Sequence, residues 1–244
     1  MKRLSEAIKE NGAAAVLQLV VLSVFNGEET WVNSRDGKRA ITGDEIKQLV
    51  KGKEISFMTN SIVYFEEMGK VNTVETLVVS KKRALELGIR QVLVASSHGY
   101  TAKEAARIFE GTGIEVIAVT ISEGYKEEGW CMTSGERQEL EKAGVKVLTS
   151  QLSLGGGVGE AFLGESSPLS IVSSTFYCFS QGMKVAIEIA IMAAEARYVS
   201  TDKEVISIAG TDEGADTAIV LVPSYARKFK ELRVREILCK PRMG

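Results

Sequence analysis

A chain of 244 residues with 45% apolar side chains holds enough hydrophobic material for one large domain, or for one domain and an appendage, which excludes intrinsic disorder. Lys and Arg total 30 against 32 Asp and Glu, and the net charge of −2 builds in no general attraction to nucleic acid or to an anionic membrane, so a small-molecule partner is expected. Cys131, Cys178 and Cys239 lie far apart without paired spacing, which excludes a zinc ribbon and a disulfide framework and points to a reducing cytoplasm.

Lys2 and Arg3 precede the apolar run Ala13 to Phe25, which imitates a signal peptide. That run is too short to span a bilayer, contains Gln18 and has no clean small-residue cleavage site behind it, so neither a span nor a leader is expected. Leu4 to Glu10 reads as a short helix stopped by Asn11-Gly12, and Ala15 to Phe25 as a buried strand closed by Asn26-Gly27. Thr42 and Glu45 have the spacing of a capping box, followed by the apolar stripe Ile46, Leu49 and Val50. Residues 1–55 contain no constellation with a chemistry attached and read as an extension; residues 56–244 form the main domain.

From there the chain alternates apolar runs, small-residue loops and amphipathic helices, the rhythm of βαβ units. Ile62 to Phe65 is a short apolar run and Thr73 to Gly88 a helix. Strands follow at Gln91 to Ala95, Glu115 to Thr120 and Val145 to Leu148, with helices at Thr101 to Glu110 and Thr133 to Ala143. Leu169 to Arg197 has the length and composition of helical structure broken near Gly182, and the Met183, Ile191 and Met192 cluster reads as core. Glu204 to Ala209 and Thr217 to Val222 close the domain, with Ile237 to Cys239 a candidate further strand. Unbroken Val, Ile, Leu and Ala runs are expected where helices cover both faces of a sheet.

In such folds ligands sit beyond the carboxyl ends of the strands, so the loops there matter most. Three are unusual. Ser96-Ser97-His98-Gly99-Tyr100-Thr101 opens a helix, and its backbone N–H groups either face an anion such as phosphate or are merely capped by the Ser and Thr hydroxyls. Leu152 to Gly159 contains four glycines, which permit close approach to a ligand or mark a mobile connection. Gly210-Thr211-Asp212-Glu213-Gly214-Ala215-Asp216-Thr217 joins two buried strands; Asp216 either accepts from a sugar or ribityl hydroxyl or closes an Asx-type turn. Three such loops on one sheet edge argue together for a site. The candidate ligand-contacting residues are Asn72, Thr73, Ser96, Ser97, His98, Gly99, Thr101, Thr120, Ser153, Gly155, Gly210, Thr211, Gly214, Ala215, Asp216 and Thr217.

The run from Gln91 to Phe109, with Glu115 to Thr120 behind it, resembles the part of the pyruvate kinase C-terminal domain that holds the phosphates of a sugar bisphosphate activator. Tyr64-Phe65-Glu66-Glu67, Gly69, Asn72-Thr73, Gln181-Gly182, Lys184-Val185, Glu188-Ile189, Gly210-Thr211, Gly214 to Ala218 and Cys239-Lys240-Pro241-Arg242 are similar to a family of stand-alone archaeal and bacterial proteins built on that domain. The resemblance covers residues from about 56 to 242. It implies a three-layer α/β/α fold with a mostly parallel five-stranded core sheet.

The resemblance also narrows the chemistry. Pyruvate kinase transfers phosphoryl groups in a separate barrel that this chain is too short to contain, so that activity is not expected. The activator loop of that enzyme carries a Lys and an Arg where Ser97 and Tyr100 stand here, which disfavours a bisphosphate. The stand-alone family is associated with flavin mononucleotide (FMN), whose single phosphate and uncharged ring suit a loop without cations. The resemblance thus makes FMN the leading ligand, held by a binding or sensing protein; a flavin-dependent oxidoreductase is the alternative, and a homo-oligomer is compatible with either.

Departures from the family bear on catalysis. An expected His-Ala-Leu-Ser-Gly becomes Gln151-Leu152-Ser153-Leu154-Gly155, and a Pro-Ala-His becomes Pro223-Ser224-Tyr225, which leaves His98 as the only histidine. His98 could pair with phosphate, serve as acid or base, or face solvent, the last being favoured for a loop residue. A Cys131–His98 nucleophile would need two separate loops to meet. Lys184 and Glu188, at i, i+4 spacing, read as a surface pair in preference to a cleft lining.

Overall fold

The computed structural model describes residues 30–34, 37–41, 60–155, 157–164 and 167–242. The chain divides into two compact units, Met1–Asn60 and Ser61–Gly244. In the first, β1 (Thr30–Ser34) and β2 (Gly37–Ile41) form an antiparallel pair in which Thr30 faces Ile41 and Ser34 faces Gly37. The helix expected at Leu4 to Glu10, the strand at Ala15 to Phe25 and the capping box at Thr42 lie outside the described residues.

The second unit is a seven-stranded sheet ordered β3-β9-β8-β7-β4-β5-β6, where β3 is Val63–Phe65, β4 Gln91–Ala95, β5 Glu115–Thr120, β6 Lys146–Thr149, β7 Val205–Ala209, β8 Thr217–Val222 and β9 Arg233–Pro241. The five strands expected in the core, β4 to β8, are contiguous, and β9 and β3 extend them at one edge. β8 pairs antiparallel with both β7 and β9, while every other neighbouring pair is parallel. Six strands therefore run one way, and the loops after β3, β4, β5, β6 and β7 all leave the sheet at the same edge.

Helices cover both faces because the strands are apolar on both. Val92 and Val94 of β4, Val116 and Ala118 of β5, and Ile206 and Ile208 of β7 turn to one side, where they meet Leu77 and Ala84 of α1 (Thr73–Leu87) and Ala102, Ala105 and Phe109 of α2 (Tyr100–Phe109). The intervening Leu93, Ile117, Val119 and Val205 turn to the other, against α6 (Gln181–Glu195). From Gly182 to Ala194 only Val185 of α6 is not fully buried, the burial expected of a helix laid against the middle of a sheet. The result is the three-layer α/β/α sandwich.

α3 (Ser134–Lys142) begins with a complete capping box: the Thr133 hydroxyl accepts from the Glu136 N–H, and the Glu136 carboxylate accepts from the Thr133 N–H at 2.7 Å. The region expected as one long broken helix is two: α5 (Pro168–Tyr177), started by Ser167 and a proline in its first turn, and α6, started by Ser180. The break falls at Cys178 to Ser180, where Ser180 is fully extended at φ −179° and its hydroxyl accepts from the Met183 N–H; Gly182 lies inside the first turn of α6. The glycine loop expected from Leu152 to Gly159 is non-helical at Leu152 to Gly155 and at Gly157, and a short helix, α4 (Val158–Leu163), begins within its last two residues. Among the described residues no helix is long and apolar enough to cross a membrane.

Candidate functional site

The loop after β4 is the first part of the site. Ser96 ends the strand register by donating its N–H to the Val119 carbonyl, and its buried hydroxyl accepts from the Ala102 N–H. Gly99, at φ +86°, turns the chain into α2 in a conformation that an L side chain rarely adopts. The consecutive N–H groups of Ser97, His98, Gly99, Tyr100 and Thr101 donate to no acceptor among the described residues; the first used donors are those of Ala102 and Lys103. Unspent donors at the positive end of a helix dipole form a cradle for an anion.

His98 is half-exposed, with Nδ1 at 3.4 Å from the Glu136 carboxylate. That carboxyl is held below its ordinary range, first by the Thr133 N–H and then by the Thr133 hydroxyl and His98. Thr120 is buried and its hydroxyl meets that of Thr149 at 2.7 Å, while Arg137 donates to the Thr149 hydroxyl at 2.6 Å and to the Val147 carbonyl at 3.1 Å. Thr120 is thus a structural link between β5 and β6.

The loops after β3 and β7 form a second cluster, tied together from within. Asp216 is 0% exposed; its Oδ2 accepts from the Gly69 N–H at 2.8 Å and the Thr211 N–H at 3.1 Å, and its Oδ1 from the Thr217 hydroxyl at 2.7 Å. The Thr73 hydroxyl accepts from the Ala215 N–H and donates to the Lys70 carbonyl, and Asn72 donates to the Glu67 carbonyl. The bonds of Asp216 are not those of an Asx-type turn, since its carboxylate joins the loop after β3 to the loop after β7, and Ala215 and Thr217 are equally buried. Gly210 and Gly214 are there for packing: a Cβ on Gly210 would lie 2.6 Å from the Gly214 carbonyl, and one on Gly214 would meet Lys70 and Thr73.

The same cluster explains Gly182. A Cβ there would lie 2.6 Å from the Thr217 Cβ and 3.0 Å from Asp216 Oδ1, and closer still to the Thr217 hydroxyl. Gly182→Ala is therefore expected to lower stability by about 1–3 kcal/mol through overpacking, measured as a shifted urea midpoint at constant slope.

Lys70 is a cation that sequence reasoning missed. Its ammonium pairs with Glu213 at 2.7 Å, which raises its pKa above the ordinary range, and it stands 4.3 Å over the ring of Tyr100, the first residue of α2. A cation therefore lies beside the cradle, supplied by the loop after β3. The signal for it was the order of strands, which no local pattern carries.

Lys184 and Glu188 correct the expectation of a surface pair. They are buried, 2.6 Å apart, and the second Glu188 oxygen accepts from the Leu154 N–H at 2.7 Å. Ser173 donates to the Leu154 carbonyl, so the loop holding Ser153 and Gly155 is fastened to α6 through its neighbour. The structure thus brings Ser97 to Thr101 to the mouth of the sheet edge and leaves Thr73, Thr120, Ala215, Asp216 and Thr217 beneath it. Cys131 donates to the Ser122 carbonyl at 3.3 Å, and burial pushes the Cys239 thiol up to about 12, so Cys239 is inert at neutral pH. Among the described residues no group of three His, Cys, Asp or Glu side chains could hold a metal ion.

A sheet with six co-directional strands and helices on both faces defines a three-layer α/β domain. The chain belongs to the family described as pyruvate kinase, alpha/beta domain, whose model matches residues 75–221, from the first turn of α1 to the end of β8. One similar solved structure is Cryptosporidium parvum pyruvate kinase in complex with ADP, at 12% identity and a TM-score of 0.31 over 69% of this chain. The match covers 24% of that protein, so this chain spans about a quarter of its length.

Proposed function

We propose that the cradle at the start of α2 binds the phosphate of a small phosphorylated molecule, with FMN the leading ligand. The observation that carries this reading is the run of unspent N–H donors from Ser97 to Thr101. One phosphate matches a site whose neighbouring cations are already shared, Lys70 with Glu213 and Lys103, in the first turn of α2, with Glu139. A bisphosphate would need more positive charge than that. Binding or sensing is the role the arrangement favours, since it offers donors without an assigned acid, base or nucleophile. The unpaired state of Cys131, Cys178 and Cys239 accords with action in a reducing cytoplasm.

Titration of the full chain with FMN, followed by quenching of flavin fluorescence, tests this. FMN is expected to bind at least tenfold more tightly than riboflavin, which lacks the phosphate. Gly99→Ala, which strains a backbone at φ +86°, and Thr101→Val, which removes one hydroxyl, should each weaken FMN about tenfold and leave riboflavin unchanged. Equal affinity for both flavins, or no effect of either substitution, would remove the cradle as the binding site.

A further inference from the structure

On the opposite face of the sheet from α2, a cleft of about 780 Å3 opens between the loop after β6, the turn after β5, and helices α5 and α6. That volume lies within the range of small-molecule sites. Its walls are mixed: Leu152, Leu154, Ile171 and the ring of Tyr125 are apolar, and Ser170, Ser174 and Thr175 of α5 bring hydroxyls. Lys184 also lines it, and its side chain is only 10% exposed.

An ammonium carries three N–H donors. Lys184 spends one on Glu188 and has no other hydrogen-bond acceptor among the described residues. Both Glu188 oxygens are engaged: one accepts from the Lys184 ammonium and the other from the Leu154 N–H. The pair is neutral as a unit, yet its cationic partner keeps two donors in a nine-tenths buried position against a cavity. Donors on a largely buried ammonium that lines an open cleft are available to an oxygen acceptor brought in by a ligand.

We infer that this cleft is a second binding site, for a small monocarboxylate with an apolar body, whose carboxylate oxygens accept from Lys184 while its body lies against Leu152, Leu154 and Ile171. Charge sets the upper limit. Glu188 already offsets Lys184, the one Lys or Arg among the residues that line the cleft, so one carboxylate bound directly to the ammonium is accommodated and a polyanion is not. The site is separate from the α2 cradle, because Lys184 and Leu154 belong to the core on the α6 side of the sheet whereas Ala102 of α2 belongs to the other.

Acetate, lactate and benzoate titrated into the full chain, followed by ligand-observed NMR, test the proposal. Benzoate should bind saturably and more tightly than acetate. Lys184→Met combined with Glu188→Gln removes both charges together while keeping an acceptor for the Leu154 N–H, and it should weaken benzoate at least tenfold. Ile171→Glu changes a residue that is 71% exposed and cannot disturb the core; it should weaken benzoate by a similar factor by placing a carboxylate against the bound one. FMN affinity should be the same in the parent and both variants. Absence of saturable binding for all three acids, or unchanged benzoate affinity in Ile171→Glu, overturns the site, whatever the outcome of the FMN titration.

Discussion

Asp216→Ala is expected to destabilise the domain by roughly 2–6 kcal/mol, because it strands the Gly69 and Thr211 N–H groups, at about 1–3 kcal/mol for each donor left unmet. The loss should appear as a fall in melting temperature of about 4–24 °C, by the usual scaling for a domain of this size. Asp216→Asn separates charge from hydrogen bonding. An amide oxygen can still accept from both N–H groups, and the amide nitrogen can donate to the Thr217 hydroxyl, which also contacts Ser180 at 3.0 Å. A loss of about 1 kcal/mol is therefore expected for Asn. If Ala and Asn were equally harmful, the negative charge and not the acceptor geometry would hold the loops after β3 and β7 together.

The second large effect is at the buried pair of α6. Lys184→Met leaves Glu188 ionised and uncompensated in a position where its side chain is 3% exposed, and breaking a buried pair in this way costs about 3–5 kcal/mol. Adding Glu188→Gln removes the stranded charge and preserves the acceptor for Leu154, so the double variant should recover at least half of the loss. A double-mutant cycle by urea denaturation reads the coupling directly. Additive losses from the two substitutions would show that the ion pair contributes nothing beyond the separate packing of its members.

Much of the sheet was legible because its strands are short apolar runs between turn signals. The expected bounds of β4, β5 and β8 coincide with the observed ones, those of β7 differ by one residue at its start, and β6 is shifted by one residue at both ends. α3, expected at Thr133 to Ala143, stands at Ser134–Lys142 with those two residues as its caps. β9 was seen only at Ile237 to Cys239. Its earlier residues, among them Arg233, Arg235 and Glu236, are more exposed and pair with β8 through register shifts that break the alternation. The break before α6 was placed at Gly182 because glycine is the stronger local signal, whereas the chain turns at Ser180 and keeps Gly182 for its contact with Thr217.

The site was legible as a set of loops and not as a set of contacts. That Ser96 to Thr101 opens a helix follows from local pattern, and so does the anion reading. Whether Asp216 faces a ligand or Gly69 depends on β3 standing in the same orientation as β7 across β9 and β8, residues that are 147 positions apart in the case of Gly69 and Asp216. The burial of Lys184 has the same origin. Its i, i+4 partner was visible, but the loop after β6 and helix α5 that cover it come from elsewhere in the chain.

The pairing of β3 with β9 has a consequence for how the domain is made. Val63 faces Cys239, Phe65 faces Pro241, and the Arg242 N–H donates to the Phe65 carbonyl, so the earliest strand of the sheet neighbours the latest. On a ribosome, β3 emerges first and has no strand beside it until nearly 180 further residues have been synthesised, a loop closure whose entropy delays that edge. The β4–β5–β6 layers can assemble while translation continues, whereas the edge that fixes Gly69 and Lys70 beside Asp216 and Glu213 waits for β9.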